Sequence, residues 1–340
     1  MTYSSGGLIQ SIDYNGFITP GYVNVGPGFI NNIWGRHDGG VLDSGWGQSQ
    51  LSVVSTGGTV TATNWAALCN TLSSMGLQTG TTITSRSNPT TGSTISVLAN
   101  VQADINSCNT NRGNASSAGT LNQSFSGTTS KTTATGTGTN AWTITFTHTV
   151  DLGTADQARY FWNAGGIVRI YYNKSSTGTD NDPDWNTFVG KVGSLAFVGR
   201  VNSAAQTIGG TSYTGTSRFN GTGGTQTTLA TTTGWYSLTA GAAATTIFQL
   251  NDDVSPYTGD TIITTAAKNA GSTVLTLTTT WNSSTRSGAG QSTNISGGTA
   301  TTSPYSGFGT APTTMVLTQP PSSSYLTPSW ITPTVTASVA

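Results

Sequence analysis

Glutamate does not occur in this chain of 340 residues, and its 12 acidic groups are all aspartates. Glycan cleavage ordinarily takes two carboxylates, one as acid and one as base or nucleophile. Most of these aspartates sit singly in turns, so a polysaccharide depolymerase is disfavoured. Charge of either sign is scarce: 12 basic residues balance the acidic ones, and together they make up 7% of the chain against about 25% in an ordinary domain. The basic residues are scattered singly, which removes the patch that a nucleic-acid partner would need. Cys69 and Cys108 are too few for a disulfide scaffold and form no Cys-x-x-Cys zinc pair. No apolar run approaches the roughly 20 residues of a membrane span. The first basic residue is Arg36 with no apolar run before it, so a secretory signal peptide is not expected and a cytoplasmic origin is. Serines abound, yet none sits in a Gly-x-Ser-x-Gly elbow, and no glycine run continues into Lys-Ser or Lys-Thr.

What the chain has instead is threonine, about a fifth of all residues. Residues 142 to 150 read Trp-Thr-Ile-Thr-Phe-Thr-His-Thr-Val, an alternation that predicts a strand with one buried face. Thr143, Thr145, Thr147 and Thr149 form the other face, a neutral ladder that a neighbouring strand or subunit covers without desolvating a charge. Net charge near zero promotes association, so the surface is expected to be largely covered by other copies of the chain.

The fold class expected is α+β, mainly β. Residues 1–62 are rich in Gly, Asn and turn signals and read as an amino-terminal arm. Residues 63–112 hold a helix pair: Trp65, Leu68, Cys69, Leu72 and Met75 share one stripe, capped by Thr63 or Asn64, and Ile95, Leu98, Val101, Ile105 and Cys108 share another. Residues 113–140 read as a Gly/Ser/Thr linker. A β-rich domain covers 141–302 and starts with a strand-helix-strand module. There Thr154 and Gln157 make a capping box, Gly165-Gly166 ends the helix, and a strand runs from Ile167 to Tyr172. The stretch from Trp185 to Phe197 reads as helical at first and strand-like later. Thr-rich strands follow at 235–238, 246–250, 261–266 and 273–281, and the proline-rich residues 303–340 read as an extended tail.

Among candidate sites, Asp180, Asp182 and Asp184 present alternating oxygens to a calcium ion. They lack the glycine and terminal glutamate of a standard calcium loop, and Asp182-Pro183-Asp184 before Trp185 is also ordinary turn and cap chemistry. Asp252-Asp253 reads as a turn. His37 reads as a loop residue beside Asp38, and His148 as a histidine at the edge of a core. Tyr160, Phe161 and Trp162 cannot all face one side of a helix, which makes Tyr160 and Trp162 interface candidates beside the four threonines. No catalytic residue, cofactor or metal centre is expected.

Several segments together resemble virion structural proteins of tailed bacteriophages, in particular the marine and cyanophage-like group. They are Asp13-Tyr14-Asn15, Trp46-Gly47-Gln48, Thr63-Asn64-Trp65 with Leu68, and the run Asp156-Gln157-Ala158-Arg159-Tyr160-Phe161-Trp162-Asn163-Ala164-Gly165-Gly166. The resemblance spans roughly residues 10 to 285, and the last run is its most specific part. That group often has tyrosine before the Gly-Gln pair, where this chain has Trp46. The resemblance implies a non-enzymatic building block of the tail, neck, baseplate or fibres, made in the host cytoplasm and located in the virion. Its partners would be itself, as a homo-oligomer, and other virion proteins, with no nucleic acid and no membrane. A receptor-binding adhesin or tail fibre that contacts host surface glycans is the alternative, and a capsid decoration protein a further one.

Overall fold

The computed structural model describes residues 10–19, 28–35, 45–91, 100–120, 129–130, 133–134, 142–174, 181–199, 205–255, 257–284, 305–306 and 312–340. They form an α+β fold with mostly antiparallel strands. The amino-terminal third is helical: α1 (Ser11–Ile18), α2 (Ile30–Trp34), α3 (Ala62–Thr79) and α4 (Val101–Thr110). Tyr14, Phe17, Ile30 and Ile33 join Trp65, Leu68, Leu72, Met75, Ile105 and Cys108 in one buried core. The expected arm is therefore corrected within its described residues, which are packed rather than extended. Two buried asparagines explain how so glycine- and asparagine-rich a segment packs. Asn15 exchanges hydrogen bonds with the backbone of Val54 (2.8 and 2.9 Å), and Asn31 does the same with Leu51 (2.9 Å each). Each carboxamide acts as a piece of strand edge, so the chain at 51–54 satisfies its backbone on side chains.

Helix α3 is capped by Thr61, two residues before Thr63 and three before Asn64, the expected caps. Thr61 accepts from the Asn64 amide, and the Asn64 side chain accepts from Thr61 N–H, a capping box with asparagine at its third position. The helix ends at Gly80 in the left-handed region (φ +64°), and Gly76 lies inside it. Cys69 and Cys108 are free and buried. Burial pushes the Cys108 thiol up to about 11, eased by a Thr79 hydrogen bond and reinforced by Asp104; burial likewise raises Cys69. We expect neither thiol to react within minutes with a disulfide reagent at pH 8, while both react once denatured. Rapid native titration of two thiols would contradict this packing.

The rest is a two-sheet sandwich. Its strands are β1 (Thr129–Ser130), β2 (Thr133–Ala134), β3 (Trp142–Asp151), β4 (Ile167–Asn173), β5 (Ser194–Val198), β6 (Gln206–Ile208), β7 (Thr211–Tyr213), β8 (Thr216–Phe219), β9 (Thr225–Leu229), β10 (Thr245–Asn251), β11 (Thr261–Lys268), β12 (Val274–Ser283), β13 (Tyr305–Ser306), β14 (Thr313–Gln319) and β15 (Thr334–Val339). Sheet I runs β1-β14-β4-β5-β8 and sheet II runs β15-β3-β12-β11-β10-β9; β13 pairs with β2, and β6 with β7. The sheets face each other across hydrogen bonds from Trp281 Nε1 to Thr314 Oγ1 (3.0 Å) and between the hydroxyls of Tyr172 and Thr264 (2.8 Å). Burial raises the Tyr172 pKa against the pull of the Thr264 and Thr279 hydroxyls.

The module from Trp142 to Asn173 has the expected order. Helix α5 (Ala155–Asn163) carries the Thr154–Gln157 capping box, and Gly165 (φ +103°) turns the chain into β4. Helix α6 (Asn181–Val192) gives way to β5 through Gly193 (φ +71°). Two expectations fail. Residues 235–237 form a single 3-10 turn, because the Trp235 indole stacks on Trp162 at 5.6 Å in the core. The proline-rich tail is no tail within its described residues: β14 lies inside sheet I between β1 and β4, and β15 closes the edge of sheet II on β3. Prolines 320, 321, 328 and 333 all fall between those two strands, which are themselves proline-free. The expected linker is packed where described, with Ala115 bonded to Thr207 and Gly209, and Ser116 to Gln78.

Candidate functional site

The outward face of sheet II is built mainly of threonine. The core side of β3 buries Trp142, Ile144, Phe146, His148 and Val150, which leaves Thr143, Thr145, Thr147 and Thr149 outside. Register carries this pattern across the sheet. Thr147 lies between Ser338 of β15 and Thr278 of β12, and Thr278 is opposite Thr265 of β11. Thr149 lies between Thr336 and Thr276. Thr145 opposes Thr280, which leads to Ile263, Gln249 and Thr228; Thr143 opposes Asn282, which leads to Thr261, Asn251 and Thr225. Thr143 Oγ1 donates to Asn282 Oδ1 at 2.9 Å.

No side chain in these four rows is ionisable. Within the strands of sheet II the charged residues, Asp151 and Lys268, lie at strand ends. Asp151 sits at the rim, where its carboxylate accepts from Gly153 N–H (2.9 Å). Lys268 ends β11 on the core side: its ammonium donates to the Trp235 carbonyl (3.1 Å) and lies 5.0 Å from the Trp235 ring, and burial lowers its pKa. Sheet I is treated differently. Ile167, Ala196 and Val198 on its outer face are covered by Ala115, Ile208 and Tyr213, and Arg169 bonds Gln319 and the Tyr213 hydroxyl over the same side. The chain thus caps one outer face itself and leaves the other half-exposed.

The aromatic interface candidates are corrected. Trp162 is fully buried, stacked on Trp235 and edge-on to Phe161 and Phe197 at 4.9 and 5.9 Å. Tyr160 is buried beneath Arg159, whose guanidinium lies 5.1 Å from its ring, and against Gly47 (φ +71°), where a Cβ would come within 2.6 Å of the ring. The crowding of rings is resolved inside the chain, since α5 sets Trp162 against Phe197 of sheet I and meets Trp46 through the Asn163 carbonyl. Trp46 Nε1 donates to the carbonyls of Arg112 (3.2 Å) and Asn163 (3.1 Å), and Asn163 Nδ2 donates to Gly45. The segments 46–48 and 156–166 therefore meet at the joint between helices and sandwich.

Asp180 and His37 lie outside the described residues, as does the side chain of Asp182; Asp184 lies half-buried in the first turn of α6. Among the described residues no group of three His, Cys or Asp side chains gathers as a metal site. The Asp252-Asp253 pair is an ion-pair anchor. Lys191 of α6 bonds Asp252 Oδ1 (2.9 Å) and Asp253, which holds the Asp253 carboxyl below the usual range. Burial draws the Lys191 ammonium down, but those two carboxylates outweigh it and leave its pKa raised. The separation of 61 positions between Lys191 and Asp252 hides this contact from the sequence. His148, fully buried between Leu277 and Ala337 in the sheet register, lies inside the core and not at its edge. No protein-family model, curated protein or solved structure matches this chain.

Proposed function

We propose that this chain is a non-enzymatic structural protein of a bacteriophage virion that assembles as a homo-oligomer in the tail, neck, baseplate or fibre apparatus. The observation that carries this reading is the uncharged outer face of sheet II, a half-exposed threonine lattice with the Asp151 carboxylate at its rim. Interface cores are depleted of charge relative to the rest of a protein surface, and this face has that property without any change of conformation. The sequence resemblance supplies the virion setting. Its segments at 46–48 and 156–166 form the joint described above, which suits a rigid building block. Glycan-binding adhesins use exposed aromatic platforms, and the aromatic candidates of this chain are inside the core.

The test is peptide quantification by mass spectrometry of particles purified through a density gradient from the source lysate, with gold-labelled antibody on the same particles. We expect a copy number that is a fixed multiple per particle and label at one location. Recovery of the chain only in particle-free fractions would overturn the virion assignment.

A further inference from the structure

We infer that the threonine face of sheet II is the contact between two copies of this chain, stacked sheet to sheet about a two-fold axis. The inference rests on the assembly reading above and names the partner of that surface.

Three observations select a second copy as the occupant. The first is chemical. A two-fold interface brings a surface against itself, so every group must suit its own kind. A hydroxyl both donates and accepts, whereas lysine only donates and an ionised aspartate only accepts. Rows built from Thr145, Thr147, Thr276, Thr278, Thr280 and Thr265 are therefore self-complementary, with no like charges brought together. The second is area. Six strands spaced about 4.8 Å apart, averaging about eight residues at about 3.3 Å each, present roughly 700 Å². Two such faces bury about 1,400 Å², inside the range of about 1,200–2,000 Å² of a specific interface. The third is the contrast between sheets: the hairpin β6–β7 covers the outer face of sheet I, whereas the outward side chains of sheet II remain half-buried or exposed. Sheets packed face to face lie about 10 Å apart with strands within about 30° of each other, a geometry that the short threonine side chains permit.

Thr278 and Thr265 lie on the two central strands of the face, so their counterparts in the second copy come closest to the axis. Asp151 falls at the periphery, where solvent screens it from its own copy.

The experiment compares the full chain with Thr145→Lys/Thr278→Lys and with Leu77→Lys, an exposed helix position away from the sheet. Mass is read by light scattering at about 100 µM, above the micromolar end for interfaces of this size; circular dichroism and melting confirm the fold. A second arm places one cysteine at the centre, Thr278→Cys, under mild oxidation; the native Cys69 and Cys108 are buried and do not compete. We expect the wild type and Leu77→Lys at dimer mass or a multiple of it, the double lysine variant at half that mass with an unchanged melt, and a covalent dimer from Thr278→Cys. A folded wild-type monomer at that concentration overturns the inference while particle incorporation still stands or falls separately. An oligomer that survives both lysines and forms no Thr278→Cys dimer places the contact elsewhere and overturns it as well.

Discussion

A chain ending at residue 311 is expected to lose cooperative unfolding altogether and to be recovered as insoluble or molten material. Strand β14 is an interior member of sheet I, bonded to β4 from Thr313 to Gln319 on one side and to β1 on the other. It buries Thr314, Val316, Leu317 and Thr318, and its loss removes the acceptor of the Trp281 indole N–H. Its deletion unpairs β4 from Ile167 to Asn173 and both residues of β1, and it uncovers the side of the core that Thr314, Val316 and Thr318 close. Buried side chains lost at about 1.5–3 kcal/mol each and ladder bonds lost at about 0.5–1.5 kcal/mol each together match the roughly 5–15 kcal/mol that stabilises a typical domain. Ending the chain at residue 333 is a milder lesion. Strand β15 borders only β3, and Val335 is its one fully buried side chain. That variant should still melt cooperatively, at a lower temperature. The connection between the strands is itself fastened: Gln48 donates to the Thr327 carbonyl (2.8 Å) and accepts from its N–H (2.9 Å), and Ser329 Oγ donates to the Trp46 carbonyl (2.9 Å). A normal melt from the chain ending at 311 would restore the picture of a dispensable tail and refute the strand order of sheet I.

The failure to read that tail from sequence has a specific cause. Proline density argues for an extended segment, and four of the six prolines do lie in the crossing between the two strands. Thr313–Gln319 holds three apolar residues in a row and does not alternate, while Thr334–Val339 alternates over only six residues. Their partners in β4 and β3 lie 140 or more positions away, so no local pattern announces the pairing. Where structure is local, the sequence was legible. The Thr154 capping box, the glycine break into β4, and the alternation of β3 and β12 each depend on neighbours within a few residues. The amino-terminal segment defeated composition for the opposite reason: Asn15 and Asn31 look like turn formers and act as buried backbone clasps.

The candidate site divides in the same way. The threonine ladder of β3 was readable because a strand shows both its faces in its own sequence. That it extends over β12, β11 and β15 depends on register, which only tertiary structure supplies. The α5 sequence alone offers too few neighbours to place the rings of Tyr160 and Trp162. The missing neighbours are Trp235, Phe197 and Gly47, all distant in sequence.

Trp281→Ala is expected to destabilise the chain by about 4 kcal/mol, within the range for deleting a buried indole. Trp281 is fully buried and stacks on Trp185 at 5.6 Å with an 11° interplanar angle; Phe146 lies 6.0 Å away. Trp185 in turn meets Trp142 at 4.8 Å and Phe188 at 5.3 Å, so the indole of Trp281 closes a cluster that joins α6, β3 and β12. Its removal leaves a cavity between rigid rings that cannot collapse, and it strands the buried Thr314 hydroxyl in the facing sheet. Trp281→Phe keeps most of the ring contact and loses only the indole N–H, so about 1–2 kcal/mol is expected. Thr280→Ala, one residue away on the outward face, should change stability by no more than about 0.5 kcal/mol. The three variants, compared by denaturant unfolding, test the face assignment itself, because a one-residue slip in register would exchange the effects at 280 and 281. Equal losses at both positions would mean that both faces of β12 are buried in the monomer, and the threonine face would then be closed to any second copy.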